Sequence, residues 1–330
     1  MTNQTLPAEL IQRVSDMIPG CSEDDLQIEM IGAGATSAAW RVTGKDQTFI
    51  VRTMLPTTNR PVTYRSEFRL LRELHTRSLP VPEAISNSFE HPASNESGLP
   101  AWAITRPVVG SPILNEPMPP RVALQLGQVL AMLHRLPCEG YGRLDEANDA
   151  GAVIRGLQTT PLEGIRARWC WATIYPFDGS QLSDHPITTL APHLITPLTG
   201  LEPLLGQIGG DEHAVITHSD LYGEHIFLNN KDLTGLIDFG AAFIGVPGWE
   251  FAVLAYYHGW QTVETVLEGY YIGYDVTESR QRQLLRQSLT LAVVVSLYKL
   301  QKAFKSNQST PKIDRIVQFV DETLRLLELT

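Results

Sequence analysis

The 330-residue chain has little cysteine, a deficit of positive charge and no long apolar run. Each shortage excludes something. The three cysteines, Cys21, Cys138 and Cys170, are far apart and odd in number, so neither a disulfide framework nor a zinc site is expected, and a reducing cytoplasm is. Twenty-six Lys and Arg stand against 36 Asp and Glu, for a formal charge of −10. That argues against a nucleic-acid partner, which would call for a basic stripe. The longest apolar run, Leu289 to Leu297, is too short to span a bilayer, and the opening MTNQTLPAEL lacks the basic start and apolar core of a secretion signal. A soluble, intracellular protein without a membrane partner is the expectation. Its length and 43% hydrophobic content allow a large core and suggest two structural units.

What the chain does have is THSDLYGEHIFLNNKDLTGLIDFG, Thr217 to Gly240, with Asp220 and Asp238 on short turns 18 residues apart and apolar segments between them. The order matches the kinase patterns H-x-D-x-x-x-x-N and D-F-G, except that His225 occupies the asparagine position. Phosphoryl transfer needs positioning and charge neutralisation more than covalent help. Asp220 is the candidate base for an acceptor hydroxyl. Asp238 is the candidate Mg²⁺ ligand, because that hard cation favours carboxylate and phosphate oxygens. Either aspartate alone would read as an ordinary turn residue.

Upstream, Pro7 to Ile18 has helical spacing, followed by three β-like runs, Gln27–Ile31, Ala38–Val42 and Thr48–Met54, which predict an antiparallel meander. A helix is predicted over Tyr64–Thr76 and a strand over Ala101–Thr105. The turn from Gly32 to Ser37, with Gly34 inside it, is a candidate phosphate cover, since glycine permits close backbone approach. A ligand-free hairpin remains open at that point. The same string imitates the dinucleotide fingerprint G-x-G-x-x-G, but Ser37 replaces the third glycine and another β-run follows in place of a helix. Arg52 on the third run is the candidate phosphate cation, in place of the lysine of the kinase pattern. Glu67 is its candidate partner, with Glu73 a rival.

Helical patterns over Pro119–His134, Trp249–His258, Thr277–Lys305 and Lys312–Leu327 predict a second, mostly helical unit. The expected boundary gives residues 1–108 to an amino-terminal lobe and 109–330 to a carboxy-terminal one. Residues 137–217 hold ten acidic and four basic side chains, with Trp169, Trp171 and Tyr175 among them. This acidity suits a cationic ligand, and these aromatics, with Trp249, Tyr256, Tyr257 and Trp260, are candidates for stacking on a sugar or macrolide face.

In this order the parts resemble the aminoglycoside phosphotransferase family, small-molecule kinases of the protein-kinase-like fold that include macrolide, choline and homoserine kinases. LPVPEAI at Leu79, GQVLAMLHRLP at Gly127 and GVPGWEFA at Gly245 extend the likeness over nearly the whole chain. The resemblance implies an α+β, two-lobed fold with a small antiparallel-sheet amino lobe and a larger helical carboxy lobe. It implies ATP or GTP as phosphoryl donor, Mg²⁺ with Mn²⁺ as an alternative, and an adenine-contacting hinge near Thr105, Arg106 and Val108. It also implies that Glu250 buttresses the catalytic loop, where the family has aspartate. Ser219 stands where the family has glycine and is compatible with a negative φ there. His225 has three open roles: a second metal ligand, a partner of a metal-bound water, or a structural residue.

The expected activity is O-phosphorylation of a small hydroxylated molecule, with an aminoglycoside-type antibiotic favoured and resistance its implied role. A macrolide or a metabolite alcohol is the alternative acceptor. A nucleotide-binding regulator without catalysis is the alternative from another class, motivated by Arg52 and His225. A protein kinase is disfavoured, because DFG runs directly into Ala241–Trp249 with no A-P-E motif.

Overall fold

Alternating apolar residues build the first sheet. Ala38, Trp40 and Val42 on one strand and Phe49 and Val51 on the next turn inward, while their neighbours face away. The computed structural model describes residues 5–34, 36–55, 64–91, 99–114, 116–146, 153–168, 184–208, 213–274 and 276–328. Helix α1 (Ala8–Asp16) leads into strands β1 (Gln27–Ala33), β2 (Ser37–Gly44) and β3 (Gln47–Met54), then helix α2 (Tyr64–Thr76) and strands β4 (Ala84–Asn87) and β5 (Trp102–Thr105). The sheet order is β1-β2-β3-β5-β4, antiparallel throughout, and the expected meander is present. Leu10 and Val14 of α1 bury completely in a core with Trp40, Val42, Phe49, Val51, Trp102 and Ile104. Each such burial contributes about 2 kcal/mol. On the opposite face, Tyr64 and Phe68 of α2 pack on Ala103.

The chain divides into two compact units, Met1–Ser111 with Thr234–Gly240, and Pro112–Leu233 with Ala241–Thr330. The sequence placed the change after residue 108 and assigned 234–240 to the second lobe. Hydrogen bonds to residues of the first unit account for the return of 234–240 to it. Leu236 donates its N–H to the Pro80 carbonyl at 2.8 Å, and the Thr234 hydroxyl donates to the Val109 carbonyl at 2.6 Å. Asp238 travels with them.

The second unit opens with helix α3 (Pro120–Leu133). Its sheet joins β6 (Cys138–Glu139), β7 (Tyr141–Leu144), β8 (Ile154–Gln158), β9 (Val215–Thr217) and β11 (Phe243–Gly245), with β10 (Ile226–Asn229) outside that sheet. Helix α4 (Pro161–Arg168) precedes a run of short helical turns. The carboxy-terminal helices are α5 (Pro247–His258), α6 (Trp260–Gly273), α7 (Glu278–Lys305) and α8 (Thr310–Glu328). α6 packs on α3, and α7 packs on both α5 and α8. Among the described residues no helix is long and apolar enough to cross a membrane.

Candidate active site

In the first unit, strand alternation sends Arg52 to the sheet face covered by α2, between the inward Val51 and Thr53. Helical spacing puts Tyr64 and Glu67 on one face of α2, three residues apart. Both reach Arg52. The guanidinium forks onto the Glu67 carboxylate, Nη1 to Oε1 at 2.9 Å and Nη2 to Oε2, and lies 5.0 Å from the Tyr64 ring centroid. Asp238 Oδ1 stands 3.5 Å from Nη1. Burial pushes the Arg52 guanidinium down, but the Glu67 and Asp238 carboxylates outweigh it and hold the group above its ordinary range. The rival Glu73 instead pairs with Arg77 at 2.7 Å on the helix surface.

Glu67 is almost fully buried, while the Asp238 side chain is 48% exposed. Asp238 sits at φ 63°, a left-handed conformation that aspartate tolerates better than most residues. Two residues on, a Cβ added at Gly240 would lie 3.2 Å from Asp238 Oδ1 and 3.5 Å from Glu67 Oε2. The glycine leaves room for two carboxylates around one cation.

The Gly32–Ser37 turn is the tip of the β1–β2 hairpin. Ala33 pairs with Ala38, and a bulge falls between Met30 and Gly32. Gly34 donates its N–H to the Ser37 carbonyl at 2.8 Å, so that donor closes the hairpin. Gly32 is exposed, with nothing within 4 Å of an added Cβ. The hinge residues lie elsewhere on the sheet. Thr105 ends β5, paired with Ile50 and Ala84. Arg106 is committed to β3, with Nη2 donating to Gln47 Oε1 at 2.7 Å and its guanidinium 4.0 Å from the Phe49 ring centroid, while its N–H donates to the Glu83 carbonyl. Val108 packs where Gly235 passes, since a Cβ there would come within 2.6 Å of it.

In the second unit, β9 delivers the loop 218–222 and a single tight helical turn, Gly223–His225. Helix α5 holds that loop residue by residue. Buried Glu250 accepts the His218 N–H at Oε2 and the Ser219 N–H at Oε1, the latter at 3.2 Å. The Tyr257 hydroxyl donates to Asp220 Oδ1 at 3.2 Å, and His258 Nε2 donates to the Leu221 carbonyl at 3.1 Å. Burial pushes the Glu250 carboxyl up to about 7, against the pull of those two N–H donors. Ser219 is a correction to the expected negative φ. It sits at +68°, and its hydroxyl pairs with Thr217 Oγ1 at 2.9 Å, a local bond that offsets part of the cost of that conformation.

His225 is buried under the Tyr222 ring, 4.1 Å between centroids, and its Nδ1 lies 2.7 Å from the Asp220 carbonyl oxygen. A carbonyl only accepts, so Nδ1 carries the proton, and in the neutral ring Nε2 carries the lone pair. Metal-binding histidines are commonly oriented in this way.

Two of the proposed stacking aromatics are core residues. Trp249 packs edge-on against Phe243, and Trp260 donates Nε1–H to Thr323 Oγ1 at 3.0 Å. Trp169, Trp171 and Tyr175 lie outside the described residues, as does part of the acidic segment 137–217. Sequence reasoning gave no site role to Tyr64 and offered Tyr257 only for stacking. Helical spacing was the available signal, since Tyr64 lies three residues before Glu67 and Tyr257 two turns after Glu250.

The family model described as "Phosphotransferase enzyme family" matches residues 27–285. Among solved structures, aminoglycoside phosphotransferase APH(4)-Ia is 15% identical with a TM-score of 0.64, covering 96% of this chain and 97% of its own. ADP-bound aminoglycoside phosphotransferase APH(2'')-Ib is 15% identical with a TM-score of 0.59, covering 98% and 99%. Macrolide 2'-phosphotransferase MphH from Brachybacterium faecium is 18% identical with a TM-score of 0.57, covering 95% and 98%. No curated protein sequence matches. With the family matched over more than half its length and the kinase-like fold over nearly all of it, the chain belongs to the phosphotransferase enzyme family and is a kinase-like transferase.

Proposed function

We propose that this protein transfers the γ-phosphoryl group of ATP or GTP to a hydroxyl of a small molecule, with an aminoglycoside-type antibiotic as the favoured acceptor. The observation that carries the reading is the Arg52–Glu67–Asp238 cluster, one guanidinium held by a buried carboxylate beside a half-exposed one. Nucleotide use is supported by the solved complexes, since thermostable mutants of APH(4)-Ia form ternary complexes with ADP and hygromycin B, and with AMP-PNP and hygromycin B.

The roles follow from the chemistry of each group. Asp220 takes the acceptor's hydroxyl proton and holds that oxygen toward the phosphorus. Arg52, fixed by Glu67, offers positive charge to phosphate oxygens. Gly32, Gly34 and Ser37 form the hairpin over the phosphates, and Thr105, Arg106 and Val108 are the proposed base-contacting segment. For Arg106 this contact runs through the backbone, because its side chain is engaged on β3.

The donor set fits a hard divalent cation at Asp238. Two carboxylates around one guanidinium leave a net negative charge, and phosphate oxygens would add to it. Among the described residues no three His, Cys, Asp or Glu side chains gather as a ready-made ligand set. That suits Mg²⁺, which keeps waters and is held by one or two carboxylates plus phosphates. When bound, the cation neutralises charge on the β- and γ-phosphate oxygens. His225 offers Nε2 either to a second cation, in which case Mn²⁺ gains over Mg²⁺, or to a water on it. A nucleotide cosubstrate and the free thiols of Cys21 and Cys138 suit the cytoplasm.

A coupled nucleotide-turnover screen tests this reading, with ATP and GTP, Mg²⁺ and Mn²⁺, and panels of aminoglycosides, macrolides and metabolite alcohols. Acceptor-dependent release of nucleoside diphosphate with an aminoglycoside supports it. Turnover confined to a macrolide moves the acceptor class toward that of MphH. Nucleotide binding without turnover on any acceptor favours the regulator.

A further inference from the structure

The Asp220 carboxylate ends a directed chain of hydrogen bonds. Lys299 Nζ lies 2.7 Å from the Tyr257 hydroxyl oxygen, and that hydroxyl lies 3.2 Å from Asp220 Oδ1. Chemistry fixes the direction. An ammonium only donates and a carboxylate only accepts, so the phenol takes a hydrogen bond from Lys299 and gives its own proton to Asp220. Aligned bonds of this kind polarise one another, and a charge at each end strengthens both.

The surroundings keep the phenol in that role. Tyr257 lies between the rings of Tyr222, at 5.6 Å, and Tyr256, at 5.1 Å, with the Lys299 ammonium 5.0 Å from its own ring centroid. Burial first, and the Asp220 charge second, hold the Tyr257 hydroxyl well above its ordinary range, so it remains a donor at neutral pH. The two residues come from packed helices, Tyr257 from α5 and Lys299 from α7. Glu250, Tyr257 and His258 hold four successive loop residues, 218 to 221, from positions about two turns apart on α5. In these bonds His218, Ser219 and Leu221 are held through their backbone and Asp220 through its carboxylate.

We propose that Tyr257 and Lys299 are positioning residues for phosphoryl transfer, pinning Oδ1 of Asp220 so that Oδ2 is left to take the acceptor's proton. This rests on Asp220 being the base. Among the described residues Oδ2 accepts no hydrogen bond. A carboxylate held at one oxygen loses rotation about its last torsion and presents the other in a fixed direction. Such preorganisation lowers a barrier without adding contacts to the substrate. Lys299 does not touch the carboxylate. It acts through the phenol, holding the Tyr257 hydroxyl with its proton directed at Asp220.

The test uses the full chain and compares Tyr257→Phe, Lys299→Met, Lys299→Arg, the Tyr257→Phe/Lys299→Met double variant and Asp220→Asn. The readouts are steady-state turnover of Mg·ATP with hygromycin B and with water as acceptors, thermal melting, and the carboxyl ¹³C resonance of Asp220, identified by its loss in Asp220→Asn. Tyr257→Phe is expected to lower kcat by roughly ten- to a hundredfold, the scale of one hydrogen bond to a charged group. KM for ATP should change less than about twofold, because the nucleotide's partners are untouched. The Asp220 resonance should move, including in protein that turns over neither acceptor. Lys299→Met should give a smaller loss in the same direction, restored in large part by Lys299→Arg, and should add little once the phenol is gone. Unchanged kcat with an unmoved resonance in Tyr257→Phe overturns the inference, as does a Lys299→Met loss that adds in full. If Asp220→Asn retains turnover, the assignment of the base itself fails. If Asp220→Asn is inactive while Tyr257→Phe is as active as the parent, only the positioning role fails.

Discussion

His225 donates from Nδ1 to the carbonyl oxygen of Asp220 at 2.7 Å, so the residue that departs from the kinase pattern is bonded to the proposed base's own backbone. Asparagine at that position offers the same pair, an N–H for the carbonyl and an acceptor beyond it. Histidine supplies nitrogen where asparagine has oxygen. His225→Asn is therefore expected to fold, to retain activity with Mg²⁺ and to lower the ratio of Mn²⁺- to Mg²⁺-supported turnover. His225→Ala, which loses the loop bond, should melt lower and turn over more slowly. The ratio of kcat with the two metals measures this, and an unchanged ratio in His225→Asn would make the imidazole purely structural.

Arg52 should not be replaceable by lysine without loss. A lysine keeps the charge but cannot fork onto both oxygens of Glu67, so Arg52→Lys should raise KM for nucleotide several-fold with a modest loss of stability. Arg52→Ala leaves Glu67 buried without its cation and should cost about 3 kcal/mol of folding free energy. Denaturant unfolding of both variants checks the order. An Arg52→Ala stability equal to the parent's would mean that the pair contributes nothing to the fold.

Glu250 predicts a pH dependence with a definite sign. Its carboxyl is pushed up to about 7 in the folded chain from an ordinary 4.5, so the folded state holds the extra proton between those values. Stability from this group therefore falls as pH rises through that window, by roughly 3 kcal/mol in all. Glu250→Gln loses one acceptor for the loop N–H groups but also loses the titration. The melting temperature of the variant minus that of the parent should rise between about pH 5 and about pH 8. Parallel curves would show that the carboxyl does not titrate there.

Ser219, at φ 68°, makes a prediction that separates strain from hydrogen bonding. Ser219→Gly relieves a left-handed conformation and loses the bond to Thr217, two effects of about 1 kcal/mol each that nearly cancel. Ser219→Ala keeps the strain and loses the bond. Thermal melting should place the alanine variant below both the parent and the glycine variant, and alanine at or above glycine would contradict the backbone assignment.

Much of this was legible in advance because it is local. The three meander strands, α2 over Tyr64–Thr76, and the helices starting near Pro120, Pro247, Glu278 and Thr310 follow from period-two and period-3.6 patterning. α6, over Trp260–Gly273, was not predicted. Its buried residues Trp260, Val263, Val266, Leu267 and Tyr270 are spaced for a helix, but it follows α5 across the lone Gly259. Strand β6 has only two residues, and β7 and β8 carry Gly142 and Gly156, which interrupt an apolar alternation. In the site, Arg52 and Glu67 were readable as a strand cation and a helix acid. The Tyr257–Lys299 chain was not, because α5 and α7 meet only through tertiary packing. The φ of Ser219 was hidden for the same reason, since the Glu250 carboxylate that holds the loop comes from thirty-one residues away.

The central claim is that Asp220 is the base. Its most direct test is single-turnover phosphoryl transfer by Asp220→Asn under saturating nucleotide and Mg²⁺, beside nucleotide binding by the same variant. The account predicts nucleotide affinity within about twofold of the parent and a rate lower by roughly a hundredfold or more. An unchanged rate at full nucleotide occupancy would contradict it.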